Sequence, residues 1–76
     1  MQAGMVFKLR TETLGISATG DHREAITVPS GVLLTISFYR KDDRMVDLLW
    51  EVRTVSLFEI DLRERGELVQ VADSSK

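Results

Sequence analysis

The 76-residue sequence has no cysteine, one proline and one histidine. Without cysteine, the chain forms neither a disulfide framework nor a thiolate metal site. No apolar run approaches the ~20 residues that span a bilayer. The stretch Met1–Met5 lacks the basic and apolar regions of a secretory signal. We therefore expect one cytoplasmic domain over residues 1–76, with frayed ends at residues 1–4 and 72–76.

The sequence is also poor in the residue patterns of common catalytic sites. Neither a Gly-x-Gly nor a Gly-Lys-Ser/Thr sequence occurs, so the glycines form no phosphate-binding loop. The lone His22 stands beside Asp21 and two residues before Glu24, a spacing that does not converge on one metal or substrate. Most carboxylates have an arginine or lysine nearby, which favours solvated charge over a desolvated acid–base pair. We predict no enzyme activity, no catalytic residues, no cofactor and no metal site.

The balance of charge bears on the choice of partner. The chain has 10 basic and 12 acidic residues, a formal net charge of −2. Proteins that neutralise phosphates are usually basic, so nucleic acid is not the expected partner. A chain this short buries only about 60% of the surface that its unfolded form exposes, and a partner subunit would add stability.

The hydrophobic pattern predicts a mainly β domain. The motif Val28-Pro29-Ser30-Gly31 predicts a tight turn between two strands. An earlier strand is predicted over residues 5–10, where the apolar residues are odd-numbered. At Leu14 and Ile16 the apolar residues become even-numbered, which predicts a break near Thr11–Thr13. Residues 19–23 resemble a loop. After the turn, alternation puts four apolar side chains on one face: Val32, Leu34, Ile36 and Phe38.

The segment Met45–Val52 fits both a helical face and a strand face, and periodicity alone does not separate the two. Asp61 to Gly66 has the pattern of a single helical turn. In that turn Asp61 would cap the backbone N–H groups, Leu62 would point inward, and Gly66 would adopt the left-handed conformation that ends a helix. Glu67–Val71 then reads as a last short strand.

The order of these elements, together with one specific stretch, resembles a known group. Leu49 to Glu67 is similar to small uncharacterised bacterial proteins that have a Trp-Glu-Gly-Arg-Thr-Val hairpin followed by Asp-Leu-Arg-Glu-Arg-Gly. The resemblance implies a five-stranded SH3-like barrel with one short helical turn before the last strand, and it favours strand for Met45–Val52. Val52 replaces the glycine of that hairpin and resists positive φ, so we expect a longer loop or one bent strand. The resemblance implies no activity.

Once the interior of such a barrel is filled, several large apolar side chains remain outside it. The predicted interior holds Val32, Leu34, Ile36, Phe38, Val46, Leu48, Trp50, Val55 and Leu57. Neighbouring strands then turn five further side chains outward, where they would form a patch: Leu33, Tyr39, Met45, Leu49 and Phe58. The alternative is that loops and the N-terminal segment cover these side chains. We predict a non-catalytic interaction module that self-associates, as a homo-oligomer, or docks another protein through this patch.

A second hypothesis assigns the chain to another class of partner. Small barrels often bind nucleic acid with aromatic side chains beside basic ones. Tyr39, Arg40, Lys41 and Arg44 form such a cluster, and Asp42 and Asp43 offset its charge. The alternative prediction is therefore a weak nucleic-acid-binding site at this hairpin.

Overall fold

The computed structural model describes residues 1–71. It contains seven strands and one short helix: β1 (Val6–Leu9), β2 (Thr13–Thr19), β3 (His22–Val28), β4 (Leu33–Arg40), β5 (Met45–Trp50), β6 (Arg53–Phe58), α1 (Glu59–Arg65) and β7 (Gly66–Gln70). The strands form one sheet in the order β3-β2-β6-β5-β4-β1-β7, and every neighbouring pair is antiparallel. The fold is mainly β, as predicted.

The prediction of a closed five-stranded SH3-like barrel is wrong. The seven strands form an open sheet, in which β3 pairs only with β2 and β7 only with β1 among residues 1–71. The error arises at residues 19–23, where we predicted a loop. Gly20, with φ of +60°, allows a two-residue turn, and β2 and β3 pair in unbroken register on either side of it. This hairpin extends the sheet beyond β6, where a barrel would have closed.

The core lies on one face of the sheet, which we call the inner face. It is formed by Phe7, Leu9, Val28, Leu34, Ile36, Val46, Leu48, Val55, Leu57 and Leu62. Six of the nine predicted interior residues belong to this core, and Val32 and Trp50 pack against it half-buried. Phe38 does not belong to the core and is 60% exposed.

β2 turns small side chains inward instead of its large ones. Thr13, Gly15 and Ser17 are buried, whereas Leu14 is exposed and Ile16 is half-buried. The predicted inward phase of Leu14 and Ile16 is therefore wrong, although the break before β2 is present. The cause is close packing against β6, because a Cβ atom at position 15 would lie 2.7 Å from Leu57 Cδ2.

Two turns decide how the middle of the chain is connected. The predicted turn at Pro29 is confirmed, with Gly31 at φ of +87° between β3 and β4. Strand is confirmed over helix for β5, which reaches β6 through the two residues Glu51 and Val52. Neither a longer loop nor one bent strand is present. Glu51 adopts the positive φ (+58°), so the β-branched Val52 escapes it.

Helix α1 begins two residues earlier than the sequence indicates. Phe58 precedes its first turn and supplies no side-chain cap, so the predicted capping role of Asp61 is wrong. Leu62 is fully buried, as predicted. Gly66 is extended (φ −116°) and not left-handed. Glycine is needed there for space, because a Cβ atom would lie 2.6 Å from the carbonyl oxygen of Leu62.

The N-terminal residues contact the rest of the molecule. Met1 and Met5 pack against the core, and the Gly4 N–H donates a hydrogen bond to the Ile36 carbonyl at 2.8 Å. The other predicted frayed end, residues 72–76, lies outside the described residues. Within residues 1–71, α1 is the only helix and is too short to cross a bilayer.

Candidate functional site

A one-residue irregularity in β4 decides which aromatic side chain faces outward. Ile36 pairs with Leu48, but Phe38 pairs with Asp47, so Ser37 is an extra residue in the ladder. A bulge of this kind reverses the faces of the residues that follow it. Phe38 is consequently 60% exposed on the outer face, and Tyr39 turns inward against the core. We had predicted Phe38 in the interior and Tyr39 on the outer face, so both assignments are wrong.

The other four members of the predicted patch lie on the outer face. Leu33, Leu49 and Phe58 are between 45% and 57% exposed, and Met45 is half-buried directly opposite Phe58. Phe38 takes the place of Tyr39 in this set. We use "outer patch" below for these five residues: Leu33, Phe38, Met45, Leu49 and Phe58.

The outer patch is not continuous, because a polar network occupies its centre. Asp47 lies between Met45 and Leu49 along β5, and its Oδ1 is 3.1 Å from Arg40 Nη2. The Ser56 hydroxyl donates to the same oxygen at 2.7 Å. The two charged side chains are only 29% and 24% exposed. The outer face thus has apolar residues at both ends, and at its centre an ion pair with Phe38 beside it.

On the inner side of the bulge, Tyr39 is held by a second network. Its hydroxyl donates to Glu59 Oε1 at 2.7 Å, and Arg63 binds Glu59 Oε2 through Nε at 2.9 Å and Nη2 at 2.8 Å. The hydrogen bond to Glu59, with a smaller contribution from burial, raises the pKa of Tyr39. The hydrogen bonds from Tyr39 and Arg63 lower the pKa of Glu59. This network fixes the start of α1 to β4.

The residues of the nucleic-acid hypothesis are not presented together. Tyr39 is turned inward and bonded to Glu59, while Arg40 is bonded to Asp47 and lies 3.5 Å from Asp43. Lys41 and Arg44 are exposed at the β4–β5 turn, where Arg44 has φ of +57°. Two of the four side chains are therefore engaged within the chain, and Lys41 and Arg44 lie beside Asp42 and Asp43 in the turn.

The residues considered for chemistry are dispersed. His22 is exposed at the start of β3, the strand at one edge of the sheet. Within residues 1–71, no group of three or more His, Cys, Asp or Glu side chains is arranged to hold a metal ion.

Two features of this face were not predicted from the sequence. Phe38 was assigned to the interior, and nothing in the run Ser37-Phe38-Tyr39 distinguishes a bulge from a regular strand. The Arg40–Asp47–Ser56 network was missed because its members are far apart in sequence. Asp47 did give a signal, since it stands among five large apolar neighbours in β5, where a lone carboxylate requires a partner.

Comparisons with known proteins add no family assignment. A scan against family models matches none of them, and searches of curated proteins and of solved structures give no significant match. The resemblance to small bacterial proteins therefore stays a prediction.

Proposed function

We propose that this chain is a non-catalytic interaction module that assembles with a second copy of itself through the outer face of β4, β5 and β6. The observation that carries the proposal is the outer patch. Four of its large apolar side chains are between 45% and 60% exposed on the face opposite the core. Aromatic residues and methionine are the types enriched where proteins meet.

The arrangement of the face favours a second copy as the occupant. Met45 and Phe58 form one apolar end, Leu33 and Leu49 lie toward the other, and the polar network separates them. A two-fold axis through the centre would lay each apolar end on the opposite end of the partner. Such a surface is self-complementary, as an isologous dimer requires.

The charges at the centre suit burial in this interface. A desolvated charge is costly when it is unpaired, and less so when its partner is already in place. Arg40 and Asp47 pair within one chain and Ser56 bonds to both, while Arg40 Nε is buried without a hydrogen-bond partner among the described residues. Covering the network therefore buries two opposite charges that are already paired.

The test is the solution mass of the purified chain, measured by light scattering over a range of concentrations. We expect a mass above that of one chain at high micromolar concentration. Leu49→Asp and Phe58→Ser should each return the mass to that of a monomer, because each places a polar group within the apolar contact.

A matched control separates this effect from a general change in solubility. Val52 is fully exposed at the tip of the β5–β6 turn and is not a member of the outer patch. Val52→Asp should leave the assembly intact. A strict monomer in the unaltered chain, or equal dissociation by Val52→Asp and Leu49→Asp, would contradict the proposal.

A further inference from the structure

The last strand, β7, offers an open edge to another chain. It pairs with β1 on one side, and no strand among residues 1–71 pairs with its other side. An unpaired edge presents a row of backbone N–H and C=O groups that can accept an additional strand.

The side chains of this edge do little to prevent such pairing. Natural proteins protect exposed edges with lysine, proline, inward-pointing charge or bulges. The segment Gly66–Val71 has no lysine, arginine or proline, and Glu67 is its only charged residue. Leu68, Val69 and Val71 are 43%, 48% and 65% exposed. The one protective device present is a bulge at Val69, where the register with β1 shifts.

An apolar hollow of about 370 Å³ adjoins the strand. It is lined by Met1, Met5, Phe7, Arg63, Gly66 and Leu68. Two of these are methionines, whose flexible thioether side chains adapt to the shape of an inserted group. The hollow has the size and character of a pocket for one large apolar side chain.

Arg63 places a guanidinium group, already paired with Glu59, beside the hollow. Its guanidinium binds Glu59 through Nε and Nη2, and no described residue accepts a hydrogen bond from Nη1. The side chain is more than half exposed. A carboxylate on an incoming segment would find a charge-assisted donor at this position.

We infer that β7 is a strand-addition site for an extended segment of another protein. A large apolar side chain of that segment enters the hollow, and a carboxylate next to it meets Arg63. A second copy of this chain fits less well. Its β3 edge begins with charged residues, and the Leu68 side chain of a second β7 already lines its own hollow.

The experiment is an amide NMR titration of the whole chain with a short peptide, Thr-Val-Thr-Val-Phe, that ends in a free carboxylate. We expect saturable shifts at the amides of Glu67, Leu68 and Val69. The same peptide with an amidated C-terminus should bind about tenfold more weakly, because it loses one hydrogen bond between charged groups. N-methylation of alternate peptide residues should abolish binding, because it removes the backbone donors.

Two matched variants locate the site. Val69→Lys places on β7 a lysine, the residue type with which natural proteins protect exposed edges, and should abolish the shifts. Ala25→Lys makes the same kind of change on the exposed part of β3 and should leave them unaltered. Neither position is buried, so neither change should affect folding.

Several outcomes would overturn the inference. These are no shift at β7 with millimolar peptide, equal binding of the N-methylated peptide, or shifts that Val69→Lys does not remove. Shifts at β7 on concentrating the chain without peptide would identify a second copy as the occupant and would also overturn it. Repeating the titration in Leu49→Asp keeps this result separate from assembly through the outer patch.

Discussion

The two edge strands of the sheet are built in opposite ways. β3 begins with His22, Arg23 and Glu24, which are all exposed, and charge of this kind opposes pairing with another strand. β7 has a single charged residue and exposes apolar side chains beside a hollow. Two edges of one sheet thus differ in how open they are to a partner. The difference shows that edge protection is a property of each strand and not of the whole fold.

The edges also differ in how they are attached. β3 continues from the β2 hairpin and reaches the core mainly through Val28 at its end. β7 follows α1 directly, and α1 is anchored by the buried Leu62. Each attachment can be weakened separately, and the following changes are ordered from the largest expected effect to the smallest.

Leu62→Ala should cost about 3 kcal/mol of unfolding free energy, because it leaves a cavity beneath α1. Val28→Ala, at the base of β3, should cost about 2 kcal/mol. Urea denaturation measures both values. Hydrogen exchange should show the first change loosening β7 and the second loosening β2 and β3, and equal loosening of both edges by either variant would disprove separate attachment.

Glycine substitutions give a second contrast between the two sides of the sheet. Gly66→Ala should cost about 2 kcal/mol, since the added Cβ meets a backbone oxygen that cannot move away. Gly15→Ala should cost about 1 kcal/mol, because its nearest obstacle is the end of the Leu57 side chain and the nearest backbone oxygen lies farther off, at 3.3 Å. The two midpoints in urea decide the order. A larger loss for Gly15→Ala would mean that β7 tolerates displacement from α1.

Removing the charged side chains from the β3 edge should change aggregation more than the unfolding free energy. We expect the double variant Arg23→Val and Glu24→Val to alter the unfolding free energy by no more than about 0.5 kcal/mol. Its light scattering should nevertheless rise with time and concentration, because β3 then resembles an unprotected edge. Unchanged scattering in this double variant would show that charge does not protect the β3 edge.

The smallest expected effect is on pH dependence, and it should appear at the β7 end. The pKa of Glu59 is lowered by hydrogen bonds from Tyr39 and Arg63, so its contribution to stability is complete above the ordinary carboxyl range and is lost as pH falls through the lowered pKa. The pKa of Tyr39 is raised, so its contribution is present below about pH 10 and is lost as pH rises through the raised value.

The chain has a single tyrosine, so its ultraviolet absorbance reports the Tyr39 titration directly. Glu59→Gln should move the midpoint toward the ordinary tyrosine pKa. In Tyr39→Phe, acid should loosen the amides of β7 at a higher pH than in the unaltered chain, with β3 unchanged. A tyrosine midpoint that Glu59→Gln does not move would refute the assigned cause.

The sequence predicted the elements better than their arrangement. Alternation located β4 and β6 and most of the core, because a half-buried strand imposes a period of two on its residues. For β5 alternation fitted helix and strand alike, and only the resemblance favoured strand. The closure of the sheet could not be predicted from the same pattern. It depends on whether residues 19–23 form a loop or a hairpin, and the charged residues around Gly20 hide the alternation there.

Prediction of the candidate site failed for a similar reason, which concerns a single residue of β4. Leu33, Met45, Leu49 and Phe58 were placed correctly on the outer face, because no irregularity separates them from the local period. Phe38 and Tyr39 were exchanged by the bulge at Ser37. A bulge is decided by how β4 fits against β5, which is a contact between distant parts of the chain and leaves no mark in the local sequence.

The extra residue at Ser37 has a consequence for the evolution of this surface. A homologue that lacked Ser37 would pair regularly and keep the phenylalanine outside and the tyrosine inside. A homologue of the same length that paired Ser37 with Asp47 would keep its core up to Ile36 but would display the tyrosine and withdraw the phenylalanine. The hydroxyl would then lie among the apolar groups of the outer patch, and Glu59 would lose its donor. The pairing of β4 with β5 could thus alter partner choice without any substitution, so aligned lengths in β4 would be as informative as residue identities when relatives are compared.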